Sequence, residues 1–137
     1  MASFKTINLP QKPPMVMVNS IIEASGTTTV TSFLVKEDNI FMEDGFLREP
    51  ALIENIAQSA AAGISSQPLN AGEKPKLGFI GAIRDLKIMK LPKAGDKIIT
   101  SVTLTHEILN AIVVVGQTRL NGELIAGCEL RIFLENS

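Results

Sequence analysis

The chain has 137 residues, 13 Lys and Arg against 14 Asp and Glu for a net charge of −1, and 45% hydrophobic residues. That is the size of one ordinary domain, able to bury about two-thirds of the surface its unfolded form exposes. With no Trp, no Tyr and no basic run it offers no stacking platform or electrostatic footprint for nucleic acid, and one Cys and one His cannot supply an internal disulfide or the usual zinc site.

The opening MASFKTINLP lacks the apolar core of a signal peptide, and no apolar run approaches the roughly 20 residues of a spanning helix. A cytoplasmic protein with no membrane partner is the expectation. LPQKPP fixes backbone angles and removes donors, so it reads as a turn or extended lead-in. MVMVNSIIEA and TTTVTSFLV, rich in β-branched residues and flanking Ser25-Gly26, read as two adjacent strands joined by a short turn. Residues 36–48 read mostly as loop.

EPALIENIAQSAAAGISS, residues 49–66, reads as a helix with Pro50 in its first turn, where a missing N–H costs nothing. Ile53, Ile56, Ala57, Ala60, Ala61 and Ile64 recur at the spacing of one buried face. Glu54 stands near the helix start, either as a carboxylate favoured by the macrodipole or as a functional acid. Gln58 lies one turn further on the same side. Residues 67–76, rich in Gly and Pro, read as a second loop. Strands follow near 77–90, 97–108, 111–120 and 123–134, with Asn121-Gly122 a two-residue hairpin signal. In the last strand Leu124, Ala126, Cys128, Leu130, Ile132 and Leu134 share one face, opposite Glu129 and Arg131.

Two strands, one long helix and about four strands, with no internal repeat, predict a single α+β domain over 1–137. In it an antiparallel sheet of five to six strands packs on one central helix. A helix whose buried face is mainly Ala and Ile lets a curved sheet approach closely and wrap round it.

Four segments, in order along nearly the whole chain, then carry a resemblance: LPQKPPMVMVNSIIE, LIENIAQSAAA, GFIGAIRDLKIMKLPKAGDKI and NGELIAGCELRIFL. Together they resemble the hotdog-fold 3-hydroxyacyl-acyl-carrier-protein dehydratases of fatty-acid and polyene synthesis. The resemblance implies paired hotdogs whose sheets join, and a substrate tunnel along the interface. It implies an acyl chain carried on the phosphopantetheine of an acyl carrier protein or coenzyme A, with no cofactor of the protein's own. Dehydration needs a base to take the proton beside the thioester carbonyl and an acid to protonate the departing hydroxyl, while backbone N–H groups near the helix start polarise the carbonyl.

By resemblance Glu54 takes the catalytic acid's place and Gln58 that of its supporting glutamine. Gln11 stands where the family's His is expected, and Gln11, Gln58, Phe79 and Gly81 are the expected substrate contacts. Gln11 hydrogen-bonds but does not titrate, so it is no general base. Phe46-Leu47-Arg48-Glu49-Pro50-Ala51 replaces the family's Met-Pro-Gly before the helix.

His106 reads as a packed or dimer-edge residue near a strand end, and Cys128 as a small core hydrophobe. Arg84, Lys87, Lys90 and Lys93 read as a solvated face or as a landing site for an acidic carrier protein or coenzyme A phosphates. Three functions follow: a dehydratase-like lyase, homodimeric or a higher oligomer of dimers; an acyl thioesterase whose helix carboxylate activates water or attacks the thioester; and a non-catalytic acyl-binding subunit of a mixed dimer with an active dehydratase.

Overall fold

The computed structural model describes Leu9, residues 11–66 and residues 77–135. Its strands are β1 (Ser20–Ser25), β2 (Thr28–Leu34), the short β3 (Met42–Glu43) and β4 (Phe46–Leu47), then β5 (Leu77–Ile88), β6 (Lys97–Ile108), β7 (Ala111–Leu120) and β8 (Glu123–Glu135); the helix α1 (Glu49–Ser65) lies between β4 and β5. Six strands form one sheet in the order β1-β2-β6-β7-β8-β5, while β3 and β4 pair separately. Every pairing is antiparallel. This is the expected α+β hotdog layout. The loop expected at 67–76 lies outside the described residues.

Turn chemistry sets the register of the long strands. Asn121 and Gly122 both take positive φ (52° and 82°), the geometry of a two-residue hairpin turn whose twist matches its strands, and Leu120 faces Glu123 across it. From there β8 alternates, burying Ala126, Cys128, Leu130 and Ile132 against the helix side. One irregularity breaks the alternation: Arg119 pairs with Leu124 and Thr118 with Ala126, so Ile125 is an extra residue in the ladder, and it too is fully buried. A bulge changes which face a side chain takes without ending the strand.

The helix sits in the concavity. Its Ala51 and Leu52 pack with Met17, Phe33, Ile98 and Ile125, and its Ile56 and Ala60 with Val102, Ile112, Val114 and Leu130. Gly116 makes the second contact possible, because a Cβ there would run into the Ile56 side chain.

Two expectations need correction. The first strand does not reach back to Met15; it begins at Ser20, because backbone groups of Met15 and Met17 bond to side chains of the helix rather than to a neighbouring strand. Residues 36–48 are mostly loop, as expected, with the two-residue strands β3 and β4 closing a small hairpin over Asp44-Gly45 inside them. The helix is also turned from the face its apolar spacing predicts. Asn55, Gln58 and Ser59 are buried with Ile56 and Ala60, whereas Ile53, Ala57, Ala61 and Ile64 are only half-buried.

Candidate active site

The helix begins without a side-chain cap at Arg48, with Pro50 in its first turn. Ala51 N–H bonds to the Arg48 carbonyl at 3.0 Å. Glu49 carries the first-turn charge. Its carboxyl is held below the usual range by its own backbone N–H and by the Arg48 guanidinium, whose Nε lies 3.0 Å from Oε1. Glu54 is one turn further in.

Gln58 is fully buried and bonds in three directions: Met17 N–H donates to Oε1 at 2.7 Å, and Nε2 donates to the Met15 carbonyl at 2.8 Å and to Glu54 Oε2 at 3.1 Å. A backbone N–H only donates and a backbone C=O only accepts, so these partners dictate which way the amide lies. Gln58 therefore presents an N–H to Glu54 and holds that carboxylate in place. The same contacts bind the lead-in segment to the helix.

Asn55 fixes the helix from behind. Its Nδ2 donates to the Met17 carbonyl at 2.7 Å, and its Oδ1 accepts from Thr100 Oγ1 at 2.5 Å. Thr100 meets Thr118 at 3.0 Å, and Ser59 meets Thr31 at 2.7 Å while donating to the Asn55 carbonyl at 2.6 Å. All five side chains are buried. Burying polar groups is costly unless they are paired; here each has its partner.

On its other side the helix opens to a cavity of about 270 Å³ lined by Gln11, Glu54, Ala57, Ala61, Ile64, Gly78, Phe79, Ile80, Ile112, Ile132 and Leu134. The chain thus brings Glu54, Gln11 and Phe79 to one space. Gln11 Oε1 is buried and has no hydrogen-bond partner among the described residues. Gln58 stands behind Glu54 rather than on the cavity wall, and Gly81 is not part of the lining. Gly81 instead makes room for the Phe133 ring, which a Cβ there would strike. Asn55 carries no local signal in the sequence, because its partners Met17 and Thr100 lie 38 and 45 residues away.

The remaining candidates lie apart. His106 is exposed, beside a register shift in β6, and lines a different cleft with Arg84, Glu129 and Arg131. It is not packed within this chain. Cys128 is buried, and loss of solvent pushes its thiol up to about 11, so it is no nucleophile at neutral pH. Arg84, Lys87, Lys90 and Lys93 are all exposed. Among the described residues there is no group of three or more His, Cys, Asp or Glu suited to a metal ion, and no helix is long and apolar enough to cross a membrane.

Comparison with known proteins places this arrangement. A chain of the dehydratase heterocomplex ApeI:P from Xenorhabdus doucetiae superposes with a TM-score of 0.86 at 20% identity, covering 94% of this chain and 89% of that one. A hypothetical thioesterase with coenzyme A from Streptococcus pneumoniae TIGR4 shares the fold at a TM-score of 0.65 and 13% identity, over 85% of each chain. In sequence, the 3-hydroxyacyl-acyl-carrier-protein dehydratase FabZ of Streptococcus pneumoniae (strain Hungary19A-6) is 27% identical over 133 residues, 93% of each protein. The ApeP dehydratase family model matches residues 6–136. Hotdog fold, sequence kinship and a near-complete family match agree, and the chain belongs to the ApeP-like family of hotdog 3-hydroxyacyl-acyl-carrier-protein dehydratase-like proteins.

Proposed function

We propose that this chain supplies the carboxylate of a dehydratase site for 3-hydroxyacyl thioesters, and that a second hotdog subunit packed on β5 supplies the base. One observation carries the reading: among the described residues Glu54 is the only titratable side chain lining the cavity. Removing water across C2 and C3 takes a proton from C2, forms the double bond as the C3–O bond breaks, and delivers a proton to the departing hydroxyl. Glu54, positioned by Gln58, delivers that last proton. The C2 proton needs an acceptor, and the chain's single histidine lies in another cleft.

Strand β5 is where a second subunit would join. Among the described residues it ends the sheet order, so one of its edges faces no further strand, and Phe79, Ile83, Leu86 and Met89 are exposed along and just beyond it. Apolar unpaired edges recruit further strands. The ApeI:P assembly is named as a heterocomplex, which supports a mixed pair with a histidine-bearing dehydratase. In a homodimer Glu54 would have to make both proton transfers. Gln11 and Phe79 line the substrate's path, Gly81 shapes the edge through Phe133, and the exposed Arg84, Lys87, Lys90 and Lys93 receive the acidic carrier or the coenzyme A phosphates. The protein acts in the cytoplasm, where acyl carriers are loaded.

The test pairs the chain with a histidine-bearing hotdog dehydratase from the same organism whose own helix carboxylate has been removed. The pair should dehydrate a 3-hydroxyacyl thioester, and Glu54→Gln should cut the rate by about 100-fold or more, the span of a general acid's contribution. Full activity in that variant overturns the assignment of Glu54. Release of free thiol from saturated acyl thioesters would instead identify hydrolysis, with Glu54 activating water.

A further inference from the structure

We infer that Gln11 is a specificity-determining residue: its Oε1 accepts the hydrogen of the substrate's C3 hydroxyl while Glu54 faces that hydroxyl's oxygen. The site thereby selects a chain that carries the hydroxyl over one of the same length that lacks it. This rests on the acyl-thioester reading above and adds which substituent is recognised and by which atom.

Among the described residues the only polar side chains lining the cavity are Gln11 and Glu54; the rest are alanine, glycine, isoleucine, leucine and phenylalanine. A polar group on the acyl chain therefore has two side chains to meet. Gln11 Oε1 is buried and has no hydrogen-bond partner among the described residues, which is costly for a side-chain carbonyl until a donor reaches it. The two groups are held in one frame. Gln58 Nε2 donates both to Glu54 Oε2 at 3.1 Å and to the Met15 carbonyl at 2.8 Å, and Met15 N–H in turn donates to the Lys12 carbonyl at 2.9 Å. Lys12 directly follows Gln11, so the amide that orients the carboxylate also fixes the turn from which Gln11 reaches the cavity.

The donor's chemistry decides what fits. A hydroxyl has one hydrogen to give and lone pairs to receive. When its oxygen faces the proton of Glu54, its own hydrogen needs another acceptor, and Gln11 Oε1 is the one the lining offers. A saturated chain brings no donor at C3, and a 3-oxo chain brings only acceptor lone pairs. Neither satisfies Oε1. Ketone reduction is the class of reaction that supplies a 3-hydroxyacyl thioester, so Gln11 separates the product of that step from its unreacted starting material. An amide turned to offer Nε2 would favour the 3-oxo chain instead, and that ligand reports which end faces the cavity.

The experiment measures binding by calorimetry to the full chain carrying Glu54→Gln, which transfers no proton but still donates a hydrogen bond to a hydroxyl. The ligands are three pantetheine thioesters of one chain length: 3-hydroxyacyl, saturated acyl and 3-oxoacyl. The 3-hydroxyacyl ligand should bind roughly tenfold tighter than either of the others, the span of one neutral hydrogen bond. Adding Gln11→Met, similar in size but without the amide, should bring the three within about twofold of one another by weakening the hydroxylated ligand. Gln11→Leu serves if the methionine variant does not fold. A preference that survives both variants, a 3-oxo ligand that binds as tightly as the 3-hydroxy one, or an equal loss for all three ligands, which puts the contact on a pantetheine amide, overturns the role of Gln11 while leaving acyl binding intact. Failure of all three to bind overturns both that role and the reading beneath it.

Discussion

The two sides of α1 invert the usual division of a surface helix. An amphipathic helix ordinarily buries its apolar stripe and exposes its polar one. Here Asn55, Gln58 and Ser59 are no more than 1% exposed, whereas Ile53, Ala57, Ala61 and Ile64 are only half-buried. The anchored side spends directional bonds on the sheet and the lead-in segment, and those bonds hold the helix at one rotation and depth. On the open side the Glu54 carboxylate is held by Gln58. Polarity therefore marks architecture on one side of this helix, and apolarity marks unfilled space on the other.

The sharpest way to break that comparison is Asn55→Leu. The Met17 carbonyl loses its side-chain partner and Thr100 keeps only Thr118, so stability should fall by about 3 kcal/mol, read as a lower urea midpoint. Gln58→Leu comes next, at about 2 kcal/mol, because it frees a buried N–H at Met17 and the Met15 carbonyl. Hydrogen exchange at Met17 should quicken in that variant. Glu54→Gln, on the open side, should cost within about 0.5 kcal/mol. Should it prove as costly as Asn55→Leu, the two sides are not divided as described.

The smallest effect concerns Cys128. Its folded pKa is raised from 9.0 to about 11, so the fold favours the protonated thiol. That contribution is complete below pH 9 and is lost as pH rises through 11, because the unfolded chain releases its proton first. A thiol reagent at pH 7.5 should leave the native protein unlabelled while labelling it promptly in urea. Prompt labelling of the native chain would show that this strand face is not closed.

The strands and the helix were legible because their signals are local. Period-two alternation, the Asn121-Gly122 turn and Pro50 each act within a few residues, and each is found where expected. The spacing of Glu54 and Gln58 was legible for the same reason. What could not be read depends on distant partners. Asn55 is buried because Thr100 waits 45 residues away, and Ser59 because Thr31 lies 28 residues back. Without those partners in view, polarity argues for solvent, and part of the predicted buried stripe, Ala57, Ala61 and Ile64, fell instead on the cavity side while Ile56 and Ala60 were buried as expected. Met15–Asn19 misled in the opposite way: its composition is strand-like, but two helix side chains take hydrogen bonds that a strand neighbour would need.

The hydrogen bond from Thr100 to Asn55 has a consequence for anyone who would reshape this protein. A helix seated only on methyl groups can roll when one of them is enlarged, and the change then spreads along its whole length. A buried amide locked to a hydroxyl on the sheet acts as an index mark that tolerates one angle. Substitutions on the cavity side would then alter the space by their own volume and little else, so the pocket could be recut one residue at a time.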